Sequence, residues 1–190
     1  MKFLVPNQLT SIFSLLIFTS LLCSCSMEDT ATTENDLFTA DLKAEKLENL
    51  EDQLKFVRQS TMKFHSFEQA AKAGYAEDLP FNPSPYVPQM GYHYINVGLM
   101  DGVFEMDKPE ILLYVPNEDG ELKLVGLEYA VPIAASPEAP EGFMGEQDHW
   151  VENPNVAGGA WTLHVWMPLE NPDGIFAEFN PNVPLSDPSL

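Results

Sequence analysis

Fifteen of the sixteen prolines in this chain lie at or beyond Pro80. A proline inside a helix removes a backbone hydrogen bond and clashes with the preceding turn, so residues 80–190 cannot be built from long helices. Between the prolines sit short β-rich runs: Gly91–Asn96, Ile111–Val115, Leu122–Val131 and Trp161–Met167. Asn117-Glu118-Asp119-Gly120 separates two of them and reads as a hairpin loop. Asn171-Pro172-Asp173-Gly174, with proline second and glycine fourth, suits a type I turn. Before Pro80 the periodicity differs. Leu47, Leu50, Leu54 and Val57 recur at three and four, which predicts an amphipathic helix beginning after Ala40 and ending near Met62. Ser66 with Gln69 has the form of a capping box for a second, shorter helix that Gly74 terminates. Helices first and strands afterwards predict one α+β domain over residues 40–190, large enough for a single core. Its expected form is N-terminal helices followed by a mainly antiparallel β-sheet or partly closed barrel with Pro-rich loops. The stretch from about Ser136 to Gly159, rich in Pro, Gly and acids, is long enough to be a functional or mobile loop.

The first 24 residues have the layout of a secretory signal peptide: Lys2, an apolar or small run from Leu9 to Leu22, then Cys23-Ser24-Cys25. That run is shorter than the roughly 20 residues a membrane-spanning helix needs. Leu22-Cys23-Ser24-Cys25 resembles the bacterial lipobox, whose last position is the cysteine that receives lipid and becomes the new N-terminus. Here that is Cys25; Cys23 fits less well, because the bulky Leu22 would take the small position before it. An ordinary signal with two incidental cysteines is the alternative. The resemblance implies several acyl chains on Cys25, and more than one chain is what stable anchoring requires. Ser26 stands where lipoproteins retained at the inner membrane carry aspartate, and Glu28-Asp29 resembles the export signals of surface lipoproteins in Bacteroidota. The expectation is an outer-membrane lipoprotein, facing the periplasm or the surface. Residues 25–39 are polar and acidic and read as a flexible tether.

A lipidated Cys25 would leave the mature chain without a free thiol, which excludes cysteine nucleophiles, cysteine-based zinc sites and disulfides. Removing residues 1–24 takes away Lys2 alone among the charged groups, leaving 8 basic residues against 29 acidic and changing the formal charge from −20 to −21. A surface that acidic repels phosphates, so nucleic acid is excluded as a partner.

Alternate residues of a strand share a face. Along Leu122–Val131 that places Leu122, Leu124, Gly126, Glu128 and Ala130 together, with Lys123, Val125, Leu127, Tyr129 and Val131 opposite. In Trp161–Met167, His164 lies between Thr162 and Trp166. In the first run His93 shares a face with Gly91 and Ile95, and Tyr92 and Tyr94 point the other way. Three strands each offer one titratable group on an apolar or small row: His93, Glu128 and His164. A buried carboxylate left ionised and alone costs several kcal/mol, so Glu128 needs a partner. Two imidazoles and a carboxylate are the donor set of catalytic zinc sites and of non-haem iron sites with open positions. Three readings stay open: a zinc or iron site, a metal-free His–Glu acid/base site, or core residues whose hydrogen bonds are met by a tyrosine or a backbone amide.

His65, beside Phe64 and Phe67, reads as packing or capping, and His149-Trp150 as the rim of a pocket. Asp101-Gly102 and Asp119-Gly120 are turn chemistry without the carboxylate spacing of a calcium loop. There is no Gly-rich phosphate loop, no G-x-S-x-G elbow and no recognisable Ser–Lys pattern.

Ala73–Tyr75 (AGY), Met90–Tyr94 (MGYHY), Asp101-Gly102, Pro109–Tyr114, Leu124–Pro132, Leu163–Trp166 (LHVW) and Asn171–Pro181 together resemble the shared motifs of an uncharacterised family of bacterial proteins, many of them secreted. The likeness covers about Lys63 to Val183, and its pattern includes residues matching His93, Glu128 and His164. It implies a common fold and adds no reaction. One departure is Asn96-Val97-Gly98, where the family often has Asn-Pro, which leaves the loop beyond His93 open.

Two functional classes follow. One is a binding module, with an aromatic pocket of Tyr92 or Tyr94, Trp150 and Trp166 holding a small molecule or a partner. The other is an enzyme using His93, Glu128 and His164 for hydrolytic or proton-transfer chemistry. The module asks for less.

Overall fold

The computed structural model describes residues 47–190. The signal, Cys25, the tether and residues 40–46 lie outside the described residues; Leu47, expected within the first helix, precedes it. Helix α1 (Leu50–Thr61) is capped by Asn49, whose side chain accepts from Asp52 N at 2.9 Å while its amide donates to the Asp52 carboxylate. A 3-10 turn over Met62–His65 leads into α2 (Phe67–Lys72). Ser66 occupies the N-cap of α2, but its side chain makes no capping bond; the Gln69 and Ala70 amides bond its carbonyl instead. The far end matches expectation. Gly74, at φ +98°, allows the Gly74 and Tyr75 amides to bond the Ala71 and Ala70 carbonyls, a Schellman cap.

Five strands follow: β1 (Tyr92–Ile95), β2 (Ile111–Pro116), β3 (Leu122–Pro132), β4 (Val151–Asn153) and β5 (Ala160–Val165). They form one antiparallel sheet in the order β1-β2-β3-β5-β4. The sheet is open, with β1 and β4 at its edges, so no barrel closes. Two features explain this. At one end, β4 is only three residues long. At the other, residues 82–84 occupy the outer edge of β1: Asn82 bonds both the Ile95 amide and its carbonyl, and Ser84 does the same for His93. Strand β4 itself falls inside the stretch that reads as a loop.

Because β3 is the central strand, both of its faces are buried from Leu124 to Val131. One face carries Leu112, Tyr114, Leu124, Leu127, Tyr129, Leu163 and Val165, covered by Val57, Phe64 and Ala70 of the helical segment and by Phe143 and Phe176. The other carries Ile111, Leu113, Val115, Val125 and Ala130, covered by Trp166 and Val183. The strict alternation expected along β3 is therefore broken. Leu113 pairs with Gly126 but Tyr114 pairs with Leu124, so the register slips by one and Val125 has no opposite number, as at a β-bulge. Leu124 turns to the helix face, Val125 moves to the opposite side, and Glu128 does not share a face with Leu124.

Tyrosine hydroxyls tie the connections to this sheet. Tyr75 donates to the Pro109 carbonyl and Tyr129 to the Met106 carbonyl, both at 2.6 Å. The loop past His93 starts with a 3-10 turn over Val97–Leu99, where the Asn96 side chain accepts from Gly98 N and donates to the Ala73 carbonyl.

Candidate metal centre

Glu128 sits midway along β3, opposite Ile111 on β2 and His164 on β5. Direct cross-strand neighbours have Cβ atoms about 4.5–5.5 Å apart, so the Glu128–His164 contact is built into the register. His93 comes from β1, opposite Leu113, and has to reach across β2. Two inter-strand steps are roughly 9–10 Å. The length of the two side chains closes that gap to 3.4 Å between His93 Nε2 and Glu128 Oε2. His164 Nε2 approaches the same oxygen at 3.8 Å. Ligand atoms of all three residues lie within 4.8 Å of one another.

Neither contact is a hydrogen bond of normal length, which would be about 2.7–3.2 Å. Glu128 Oε2 and His164 Nε2 are both buried and have no hydrogen-bond partner among the described residues. Two orphaned polar atoms side by side in a core would each cost about 1–3 kcal/mol. With bonds of about 2.0–2.2 Å, the edge of a tetrahedral zinc site is roughly 3.4 Å; the His93–Glu128 separation matches that edge, and His164 would have to draw in from 3.8 Å to complete it. The donor set, two imidazole nitrogens and a carboxylate oxygen with no sulfur, suits zinc or ferrous iron.

Trp166 packs its ring against His164 at 5.8 Å between centroids and 7° between planes. It reaches over Gly126, where an added Cβ would lie 2.8 Å from the Trp166 ring and 2.9 Å from Leu113 Cδ1. Glycine at 126 is thus what allows Trp166 to lie flat beside the site. Side-chain exposure is 12% for His93, 6% for His164 and 1% for Glu128, so the centre is largely enclosed and His93 is its most exposed member.

Burial sets the charge of the group. It pushes Glu128 up to about 8, reinforced by the nearby Glu110 carboxyl. It pushes His93 down to about 4, opposed in part by the Gly91 backbone, and His164 down to about 3, assisted by the proximity of His93. At neutral pH the three groups are uncharged, with a proton on Glu128. A bound divalent cation would take the place of that proton.

The residues expected to form a site, His93, Glu128 and His164, are brought together. The aromatic residues expected to line one pocket are not. Tyr94 lies on the helix-bearing face, edge-on to Phe67 and Tyr114, whereas Trp166 lies on the opposite face beside His164. Tyr92, half-buried at that same helix-bearing face, donates its hydroxyl to Asp187. Trp150 stands edge-on to Phe104 and lines a cleft with Gln53, Phe143 and Asp148. His65 is exposed, its neighbour Phe64 entering the core, and His149 is exposed beside Trp150.

Two residues near the site were not among the candidates. Glu110 is 2% exposed, and its carboxylate accepts from Ala130 N at 3.0 Å, completing the β3 ladder where β2 ends. Burial raises it to about 8. An acid placed directly before the all-apolar run ILLYV was its signal. Ser84, between Pro83 and Pro85, touches His93; a polar residue held between two prolines was the corresponding cue.

These shifts give the metal-free protein a distinctive pH profile. Glu128 and Glu110 have raised values, so their contribution is fully present below the unfolded value of 4.5 and is lost as pH rises through about 8. His93 and His164 have lowered values, so theirs is lost as pH falls from 6.5 towards 4 and 3. Between about pH 4.5 and 6.5 the two pairs offset each other; from 6.5 to 8 the carboxyls alone titrate. Chelator-treated protein should therefore lose stability across that upper window, by up to about 1.4 kcal/mol per pH unit for each proton. Urea midpoints at pH 6 and pH 8 measure this, and a midpoint that rises over the window would contradict it.

No protein-family model, curated protein or solved structure matches the chain, so the chemistry of the centre is read from its own geometry.

Proposed function

We propose that this protein is a lipid-anchored envelope protein whose domain binds a divalent transition metal ion, zinc or ferrous iron, through His93, Glu128 and His164. The observation that carries the reading is the pair of buried, unpartnered ligand atoms, Glu128 Oε2 and His164 Nε2, with His93 Nε2 facing the same oxygen at 3.4 Å. An ion there satisfies the two orphaned atoms and the lone pair of the third with one bond each.

A binding module is favoured over an enzyme by what surrounds the centre. Glu128 and His164 are enclosed by Trp166 and the apolar residues of their face, and even His93, the most exposed of the three, is only 12% exposed. The second reading, metal-assisted hydrolysis, draws on the ligand count: three protein ligands leave a fourth position for water or a small ligand, as in catalytic zinc sites. The envelope location is supported by the Leu22–Cys25 stretch alone. Among the described residues no helix is long and apolar enough to cross a membrane.

Purified protein should contain nearly one zinc or iron per chain. His164→Ala should abolish that content, and a chelator should lower the unfolding midpoint of the wild type but not of the variant. The alanine effects of His93 and His164 should also be non-additive, the double variant losing clearly less than the sum of the singles. Metal-free protein with strictly additive effects would leave three core residues and no site. For the anchor, Cys25→Ala should leave the precursor unprocessed or release the protein from the membrane fraction; unchanged mass and fractionation would refute it.

A further inference from the structure

We propose that Ser84 is a positioning residue for this centre: its hydroxyl holds His93 in the tautomer that carries the proton on Nδ1 and turns a bare Nε2 towards the ion. The proposal rests on the metal-binding reading above and adds the device that makes His93 a ligand.

A serine hydroxyl has one proton to give and two lone pairs to offer. Ser84 Oγ donates to the Pro85 carbonyl at 2.8 Å and accepts from the His93 amide at 3.1 Å. With its proton committed, the remaining lone pair is what faces His93 Nδ1 at 3.2 Å. Nδ1 must then be the donor, and in a neutral imidazole that leaves Nε2 without a proton. Ser84 is itself held firmly. Its amide donates to the His93 carbonyl at 3.0 Å, and Pro85 restricts its backbone to extended conformations.

The other tautomer would carry its proton on Nε2, facing Glu128 Oε2 at 3.4 Å. An Nε2–H would occupy the lone pair a metal needs. Ser84 thus favours the form whose Nε2 lone pair is open, to a cation or, without one, to the proton on Glu128. Orienting groups of this kind are generally worth about 10–100-fold in metal affinity.

The test combines Ser84→Ala and Ser84→Thr with two readouts. One is the zinc dissociation constant at neutral pH, from competition with a chelator, on variants shown by circular dichroism to be folded. The other is the His93 tautomer in metal-free protein, from the nitrogen-15 shifts of the ring. Wild type should be the Nδ1–H form. Ser84→Ala should shift towards Nε2–H and bind zinc about 10–100-fold more weakly, and Ser84→Thr, which keeps the hydroxyl, should restore both. A folded Ser84→Ala with wild-type affinity, or a wild-type His93 protonated on Nε2, would overturn the proposal. The wild-type tautomer needs no variant, so a wild-type His93 protonated on Nε2 overturns the proposal even if Ser84→Ala does not fold. Wild type that takes up no zinc would remove the metal reading instead, while the tautomer would still report on Ser84.

Discussion

Burying Glu128 in the central strand is the constraint around which the rest of the molecule is arranged. An ionised carboxylate in such a place is costly by several kcal/mol unless a cation or a proton shares its charge. Here the neighbours within reach are two imidazoles that burial itself keeps neutral. The protein can therefore hold the group in two states: a protonated carboxyl between neutral rings, or a carboxylate and two rings around a metal ion. The first leaves Glu128 Oε2 and His164 Nε2 without hydrogen bonds. The second satisfies both.

The sheet topology serves that arrangement. Placing β5 directly against β3 sets His164 opposite Glu128, and placing β2 between β1 and β3 keeps His93 at a longer reach. The segment at residues 82–84 both seals the exposed edge of β1 and holds the His93 ring. Fold and site share parts here, because one serine hydroxyl satisfies a strand amide and faces an imidazole. On the opposite face the helices and the tyrosine–phenylalanine cluster form an apolar core, with the buried Glu110 carboxyl near Tyr75 and Tyr129.

Much of this was legible in the sequence because prolines bound the strands so closely: β1, β2, β3 and β5 fall within a residue or two of the runs between them. Alternation also set His93, Glu128 and His164 each on the apolar or small row of its own strand, since each is counted over a short segment; strand pairing, which the sequence does not show, makes those rows one face. It failed at Leu122 and Leu124, where the slip at Val125 reverses the parity, and a bulge in an unbroken apolar run leaves no periodic trace. Strand β4 was hidden because its three residues owe their pairing to β5 and not to any pattern of their own. The pocket of Tyr94, Trp150 and Trp166 was a different kind of error. The alternation that groups His164 with Trp166 already separates Tyr94 from His93, so the first and last of those aromatics could not share a wall. Ser84 and Glu110 were out of reach, because their roles come from loops folding back on strand edges.

The most direct measurement is anomalous diffraction at the zinc and iron absorption edges from crystals of the protein as purified. The account predicts one ion, about 2.0–2.2 Å from His93 Nε2, His164 Nε2 and a Glu128 oxygen. No anomalous density at that point, together with Glu128 drawn in to hydrogen-bond one of the histidines directly, would contradict it.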